Sequence, residues 1–134
     1  MTSFHLQIVT PDGCAYDGPA EYVSLRTING CVGICPHHTD YVTALGMGEA
    51  RVVTDGETRR AACIGGMLAV TKGDVKVVAT TFEWAKDIDL ERAKASEQKA
   101  RQAMADQNIS EKDLKLAEAR LKRALVRQSV ATGK

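Results

Sequence analysis

The 134 residues carry 18 basic and 17 acidic side chains, a net charge of +1, with 44% hydrophobic and only 4% aromatic residues. That length allows one ordinary domain, or a small domain with an extension, and leaves no room for a multidomain enzyme; near-neutral charge and few aromatics argue against a nucleic-acid binder. No window approaches the ~20 apolar residues of a membrane span, and Met1–Thr10 alternates polar and apolar residues without the basic start and apolar core of a signal peptide, so a soluble, cytoplasmic chain is expected.

The first element is a strand in which Phe4, Leu6 and Ile8 alternate with His5, Gln7 and Val9, ending at the tight turn Thr10-Pro11-Asp12-Gly13. Further apolar runs follow at Tyr22 to Leu25, Ala50 to Val53, Arg60 to Ile64, Met67 to Val70 and Val75 to Ala79. They are separated by Asn29-Gly30, Asp55-Gly56, Gly65-Gly66 and Lys72-Gly73-Asp74. Asp55-Gly56 between two such runs predicts a two-residue hairpin. Many short strands with regular turns predict an antiparallel sandwich or barrel over residues 1–85.

Composition changes at about Glu83 to Asp87. Ten of the eleven glycines and all three prolines precede this point, and Asp87 to Val130 is rich in Ala, Leu, Glu, Lys, Arg and Gln, which are strong helix formers. Leu90, Ala93, Ala100 and Met104 recur at helical spacing, as do Leu114, Ala117, Leu121, Ala124 and Leu125, so residues 86–134 read as two amphipathic helices. Asp106-Gln107-Asn108-Ile109-Ser110 separates them, with Ser110 as the N-cap and Asp113 in the first turn. Residues 1–85 hold 6 basic and 9 acidic side chains, while 86–134 hold 12 and 8. The expected architecture is therefore an N-terminal antiparallel β-sandwich followed by a basic, antiparallel two-helix hairpin. Small residues on the first helix make its seam thin, and a weakly held hairpin can change partners.

Cys31, Cys35, His37 and His38 lie close in sequence, but the two cysteines are four apart in strand and turn, and no second pair follows at zinc-ribbon spacing. No metal site is read there, and the four cysteines are expected to be reduced thiols. There is no Ser-His-Asp set, no paired-carboxylate site and no P-loop, since Gly65-Gly66 lacks the following Lys and Ser/Thr. A non-catalytic chain is expected.

Val9-Thr10-Pro11-Asp12-Gly13, Gly33-Ile34 with Pro36 and His38, Gly65-Gly66, and Asp87-Ile88-Asp89-Leu90-Glu91-Arg92-Ala93 occur in this order. The series resembles the epsilon subunit of bacterial F-type ATP synthases along the whole chain. The resemblance implies a rotor component in which the sandwich grips the gamma shaft and sits on the membrane c-ring. The helices would regulate ATP hydrolysis by the alpha/beta catalytic head, either folded against the sandwich or extended into the head. A peripheral position on the cytoplasmic face of the bacterial inner membrane follows. The basic second helix, with Lys115, Arg120, Lys122, Arg123 and Arg127, suits acidic surfaces of catalytic subunits; a solvated face is the plainer reading of the same charges.

The resemblance also implies ATP as a regulatory ligand rather than a required cofactor, because Ile88-Asp89-Leu90-Glu91-Arg92-Ala93 matches the I-D-x-x-R-A motif of ATP-binding relatives. Arg92 can grip phosphate with its fork of donors, and Lys99 lies on the same helical face. Pivoting the hairpin between Gln107 and Asn108 sets Arg123 level with Arg92 and Arg127 level with Ile88, closing a phosphate cage. Glu83 and Asp89 would accept hydrogen bonds from adenine or ribose. Position 99 is Lys where ATP-binding relatives tend to have Arg, which keeps the charge and loses the fork. Without a ligand, Asp87 and Asp89 would cap the helix and pair with Arg92.

Cys31 and His38 fall on the edge that the resemblance assigns to c-ring and gamma docking, Cys31 replacing an acidic residue usual in relatives. A free-standing nucleotide-sensing module, using the same arginines without a rotor, is the alternative. A nucleic-acid-binding appendage has only the basic helix in its favour.

Overall fold

The computed structural model describes residues 2–133, which form two compact units, one ending at Trp84 and one beginning at Ala85. The strand unit contains β1 (Phe4–Thr10), β2 (Gly13–Ala20), β3 (Tyr22–Thr27), β4 (Gly30–Ile34), β5 (Tyr41–Thr54), β6 (Glu57–Thr71) and β7 (Asp74–Trp84). Hydrogen bonding joins them in the order β2-β1-β7-β6-β5-β3-β4. Although β2 and β5 stand four places apart in that order, they touch, so the ladder folds over on itself. Between its layers lie Leu6, Ile8, Val23, Leu25, Val52, Leu68 and Val77, each at most 1% exposed. Each such side chain contributes about 1.5–3 kcal/mol by leaving water.

The alternation of β1 is realised, with Phe4, Leu6 and Ile8 buried. Asp55 (φ 52°) and Gly56 (φ 73°) join Thr54 to its partner Glu57, a primed two-residue turn of the kind that suits strand twist. Lys72 and Gly73 repeat the solution between Thr71 and Asp74.

Three features differ from the sequence expectation. The pairing is not wholly antiparallel, because β1 lies parallel to β7, Leu6 beside Val75 and Ile8 beside Val77. Strands β2 and β4 were hidden by their glycines and by Pro19; both are edge strands, where weak β-formers and Pro are tolerated. Finally, Gly65-Gly66 does not separate two strands. Both glycines have positive φ, 73° and 125°, and interrupt the single strand β6, whose pairing resumes at Gly66 with Ala79. A Cβ at Gly66 would collide with the Val78 carbonyl oxygen, so the close approach requires glycine.

The helical unit begins with a 3-10 turn, Ala85–Asp87, followed by α1 (Leu90–Met104) and α2 (Glu111–Thr132). Asp89 caps α1, accepting the Arg92 N–H at 3.1 Å, and Ser110 caps α2, accepting the Asp113 N–H at 3.1 Å. Such caps satisfy backbone donors that the helix leaves unpaired. Gly133, in the left-handed region at φ 75°, ends α2. Ala93, Ala100, Ala117 and Ala124 are the buried seam residues, with Val130 buried near the end of α2.

Candidate functional site

Two surfaces carry the recognisable chemistry, one on each unit. On the outer face of the sheet, cross-strand pairing aligns Ala44 of β5, Met67 of β6, Val78 of β7 and Val9 of β1 in one row. Val42 and its partner Ala69 extend it. Met67 and Val78 are each 46% exposed and Val42 is 66% exposed. Four strands at ~4.8 Å spacing make this an apolar strip about 14 Å wide, and an exposed apolar patch of this kind marks an interaction surface. The signal in sequence was Val77-Val78. Two adjacent apolar residues in an alternating strand put one of them outside, and Val78 is the outward one.

Of the docking residues expected from sequence, Cys31 is exposed on edge strand β4, paired with Arg26 of β3. His38 is half-buried in the connection to β5, where Nδ1 bonds the Thr39 carbonyl oxygen at 2.7 Å and the ring lies 6.1 Å from that of Tyr41. Asp40 holds the neighbouring β6–β7 turn by accepting the Lys72 N–H at 2.9 Å. Ile28, 67% exposed, projects from the turn between β3 and β4. Cys14, Cys31, Cys35 and Cys63 are free thiols. Burial pushes the Cys63 thiol up to about 12. Among the described residues, no group of three or more His, Cys, Asp or Glu side chains could hold a metal ion.

An aromatic cluster that sequence reasoning missed occupies the end of β7. Trp84 meets Phe82 and Tyr16 edge-on at 5.0 and 6.3 Å, and its indole N–H donates to the Ala15 carbonyl at 3.3 Å. Phe82 and Trp84 are neighbours on one face of β7, but Tyr16 and Ala15 are more than 60 residues away in sequence, so only the folded chain reveals the group.

In the helical unit, Asp89 spends Oδ1 on the cap, as the ligand-free reading of the sequence expects, although it bonds the Arg92 backbone rather than being seen with the guanidinium. Ile88 is half-buried with its N–H on the Ala85 carbonyl. Ala93 is buried in the seam, Arg92 and Lys99 are exposed, and Arg123 and Arg127 are half-buried. Glu83 belongs to the strand unit, half-buried on β7 and paired with Ala62 of β6.

The hairpin register differs from the expected pivot. Gln128 Nε2 donates to Glu97 Oε1 at 2.8 Å. A parallel arrangement with this contact would ask the connection from Met104 to Glu111 to run back about 36 Å, past its reach of about 24 Å, so α1 and α2 are antiparallel. The Gln107/Asn108 pivot would instead set Glu97 opposite Glu118, ten residues or about 15 Å along α2. The linker climbs along the axis before reversing, with local bonds from Ile109 N–H to Asp106 O and Asn108 N–H to Asp106 Oδ1. This bond places Arg123 and Arg127 nearer the loop end of α1 than the expected pivot does. At about 100° per residue, Arg92 and Lys99 also lie roughly 140–160° around α1 from Glu97, away from the side that meets Gln128.

Sequence comparison agrees with this division. The family model for the ATP synthase delta/epsilon chain β-sandwich domain matches residues 3–85, and that for its long α-helix domain matches residues 86–132. The ATP synthase epsilon chain of Shouchella clausii is 35% identical over 134 residues, covering all of this chain and 98% of the relative. That of Bacillus velezensis is 39% identical over 131 residues, covering 98% of each. Among solved structures, a chain of the Euglena gracilis mitochondrial ATP synthase (OSCP/F1/c-ring) superposes with a TM-score of 0.84 at 20% identity, over 96% of this chain and 81% of that one. A chain of the Tetrahymena thermophila mitochondrial ATP synthase central stalk and c-ring superposes with a TM-score of 0.64 at 10% identity, over 95% of each. Fold and sequence together define a two-module subunit of a larger machine, a strand module followed by a helical hairpin. The chain belongs to the ATP synthase delta/epsilon chain family, and its likeness to bacterial epsilon chains extends through both modules.

Proposed function

We propose that this chain is a non-catalytic rotor part of an F-type ATP synthase, seated on the gamma shaft through the apolar strip Val42, Ala44, Met67, Ala69, Val78 and Val9. The strip is the observation that carries the reading. A family member that works inside an ATP synthase needs a permanent contact, and the strip is an exposed apolar row of the right kind, bordered by Lys76 beside Ala69. The turn bearing Ile28, with Cys31 and His38, faces the c-ring in this reading. The basic side of α2 serves the alpha/beta head and restrains ATP hydrolysis. No described helix is long and apolar enough to cross a membrane, and the chain is held at the cytoplasmic face of the bacterial membrane only through its partners.

ATP is the proposed regulatory ligand of the helical unit, bound through Ile88, Asp89, Arg92 and Ala93 with Lys99 on the same stripe. Arg123 and Arg127 of α2 and Glu83 near the end of β7 complete the proposed set. The rotor reading is tested by adding the full chain and its Met67→Glu variant to a gamma-containing catalytic head that lacks this subunit. The full chain is expected to bind and slow ATP hydrolysis, and the variant to bind at least tenfold more weakly, since a carboxylate buried unpaired costs well over 1.4 kcal/mol. Equal binding of the two proteins rejects the strip as the seat. Failure of the unsubstituted chain to bind favours a free-standing nucleotide sensor. Calorimetry of ATP with the full chain and with Arg92→Ala tests the ligand; identical affinities remove Arg92 from the site.

A further inference from the structure

The buried seam of the helical hairpin is built from small side chains. The buried residues are Ala93 and Ala100 on α1 and Ala117, Ala124 and Val130 on α2, so Val130 alone of these is larger than alanine. Each alanine removes little apolar area from water, so these four contribute little of the free energy that closes the hairpin. Against this thin contact stands one polar group with two partners. Glu97 accepts the Gln128 Nε2–H through Oε1 at 2.8 Å and the Arg101 Nε–H through Oε2 at 2.7 Å. Its side chain is 23% exposed. The Gln128 bond, ahead of the Arg101 bond and charge, holds the carboxyl below the ordinary glutamate range. One oxygen is spent along α1 and the other across to α2.

We propose that Glu97 and Gln128 form a clasp that decides whether the hairpin is closed, with Arg101 as the positioning residue that aims the Glu97 carboxylate at α2. A hydrogen bond to an ionised acceptor is stronger than one between neutral groups, and Arg101, one turn beyond Glu97, restricts the carboxylate rotamer. Both ends of the clasp lie within the hairpin, Glu97 on α1 and Gln128 on α2. Its consequence for ATP hydrolysis rests on the regulatory reading above; its existence does not. Opening would further expose Arg123 and Arg127, which are half-buried in the closed hairpin, for an acidic partner surface.

A charge exchange in the full-length chain tests this. Gln128→Glu places a second carboxylate against Glu97, and the double variant Glu97→Gln with Gln128→Glu restores one donor and one acceptor with the roles reversed. Amide hydrogen exchange, read by mass spectrometry, is expected to be at least about fivefold faster over residues 114–132 in Gln128→Glu, and within about twofold of the unsubstituted chain in the double variant. Gln128→Leu, which removes the donor without adding charge, is expected to fall between them. Exchange in β5 and β6 serves as the internal control for general unfolding. Unchanged exchange in Gln128→Glu, or a double variant as open as the single one, overturns the clasp. Hydrolysis by the reconstituted head is then measured with the same proteins. A rate that ignores all of them while hydrogen exchange responds overturns the regulatory reading and leaves the clasp standing.

Discussion

The Arg59 guanidinium lies over the Trp84 indole, 3.7 Å from the ring centroid. Arg59 begins the core-facing alternation of β6 and Trp84 closes β7, so the pair ties together the ends of two strands at the last residue of the strand unit. The indole is further fixed by Phe82, Tyr16 and the Ala15 carbonyl. Removing the cation from the ring face loses about 1 kcal/mol, between the exposed and desolvated limits for such contacts. Arg59→Ala is expected to lower the denaturation midpoint accordingly and to shift tryptophan emission to the red. The chain has one tryptophan, so the spectrum reports this site alone. An unchanged spectrum would mean that the ring is not covered by Arg59 in solution.

The kink in β6 gives a second expectation. Gly66→Ala puts a Cβ into the Val78 carbonyl while forcing a left-handed backbone at φ 125°. The two penalties together are expected to cost roughly 3 kcal/mol or more. Gly73→Ala is the control, because Gly73 also has positive φ, at 85°, but a Cβ there meets nothing within 4 Å. It should cost only the conformational strain, about 1 kcal/mol. Chemical denaturation of the two variants distinguishes collision from strain, and equal losses would show that β6 can move away from Val78.

Much of this architecture is legible in the chain because local chemistry and final environment agree. The alternation of Phe4, Leu6 and Ile8 is the pattern of a strand with one dry face, and Asp55-Gly56 can adopt the positive φ values that its turn requires. Ser110 is a good cap wherever a helix follows it, and one does. What stayed hidden depends on partners distant in sequence. Edge strand β2, with Gly13, Gly18 and Pro19, has little β propensity of its own and is held by its ladder to β1 and by a His5–Asp17 contact of 2.5 Å. The Gly65-Gly66 pair reads as a turn until Leu45 and Ala79 are seen pairing on either side of it. The hairpin register was misplaced because helical periodicity fixes which face of a helix is apolar but says nothing of how far a six-residue linker travels before reversing. The candidate ATP motif was visible as a string of residues, with Arg92 and Lys99 exposed on α1 and Arg123 and Arg127 half-buried on α2.

Thiol chemistry should separate the four cysteines. Cys14, Cys31 and Cys35 are exposed, whereas Cys63 is buried on β6, between β5 and β7, with its thiol pushed up to about 12. At pH 8 a water-soluble disulfide reagent is expected to titrate three thiols rapidly, because only accessible thiolate reacts. The fourth should react only after denaturant is added. Rapid reaction of all four would show that the sheet opens around Cys63.

The clasp carries its own dependence on pH. The Glu97 carboxyl is held below the ordinary glutamate value by the Gln128 hydrogen bond first and by Arg101 second. A group whose pKa falls on folding binds its proton more weakly in the folded state, so the unfolded chain takes up the proton first as the solution is acidified. The stabilisation is therefore complete above the unfolded value of about 4.3, and it is lost as pH falls through the lowered folded value. Comparison of the intact chain with Glu97→Gln removes the contribution of the other carboxylates, which both proteins share. Above pH 6 the variant's hairpin should exchange its α2 amides faster, once the rates are corrected for the intrinsic pH dependence of exchange. The two proteins should converge only as the pH falls through the lowered folded value, where Glu97 itself takes up its proton. A difference that persists undiminished into acid would assign the effect of Glu97 to packing rather than to its charge.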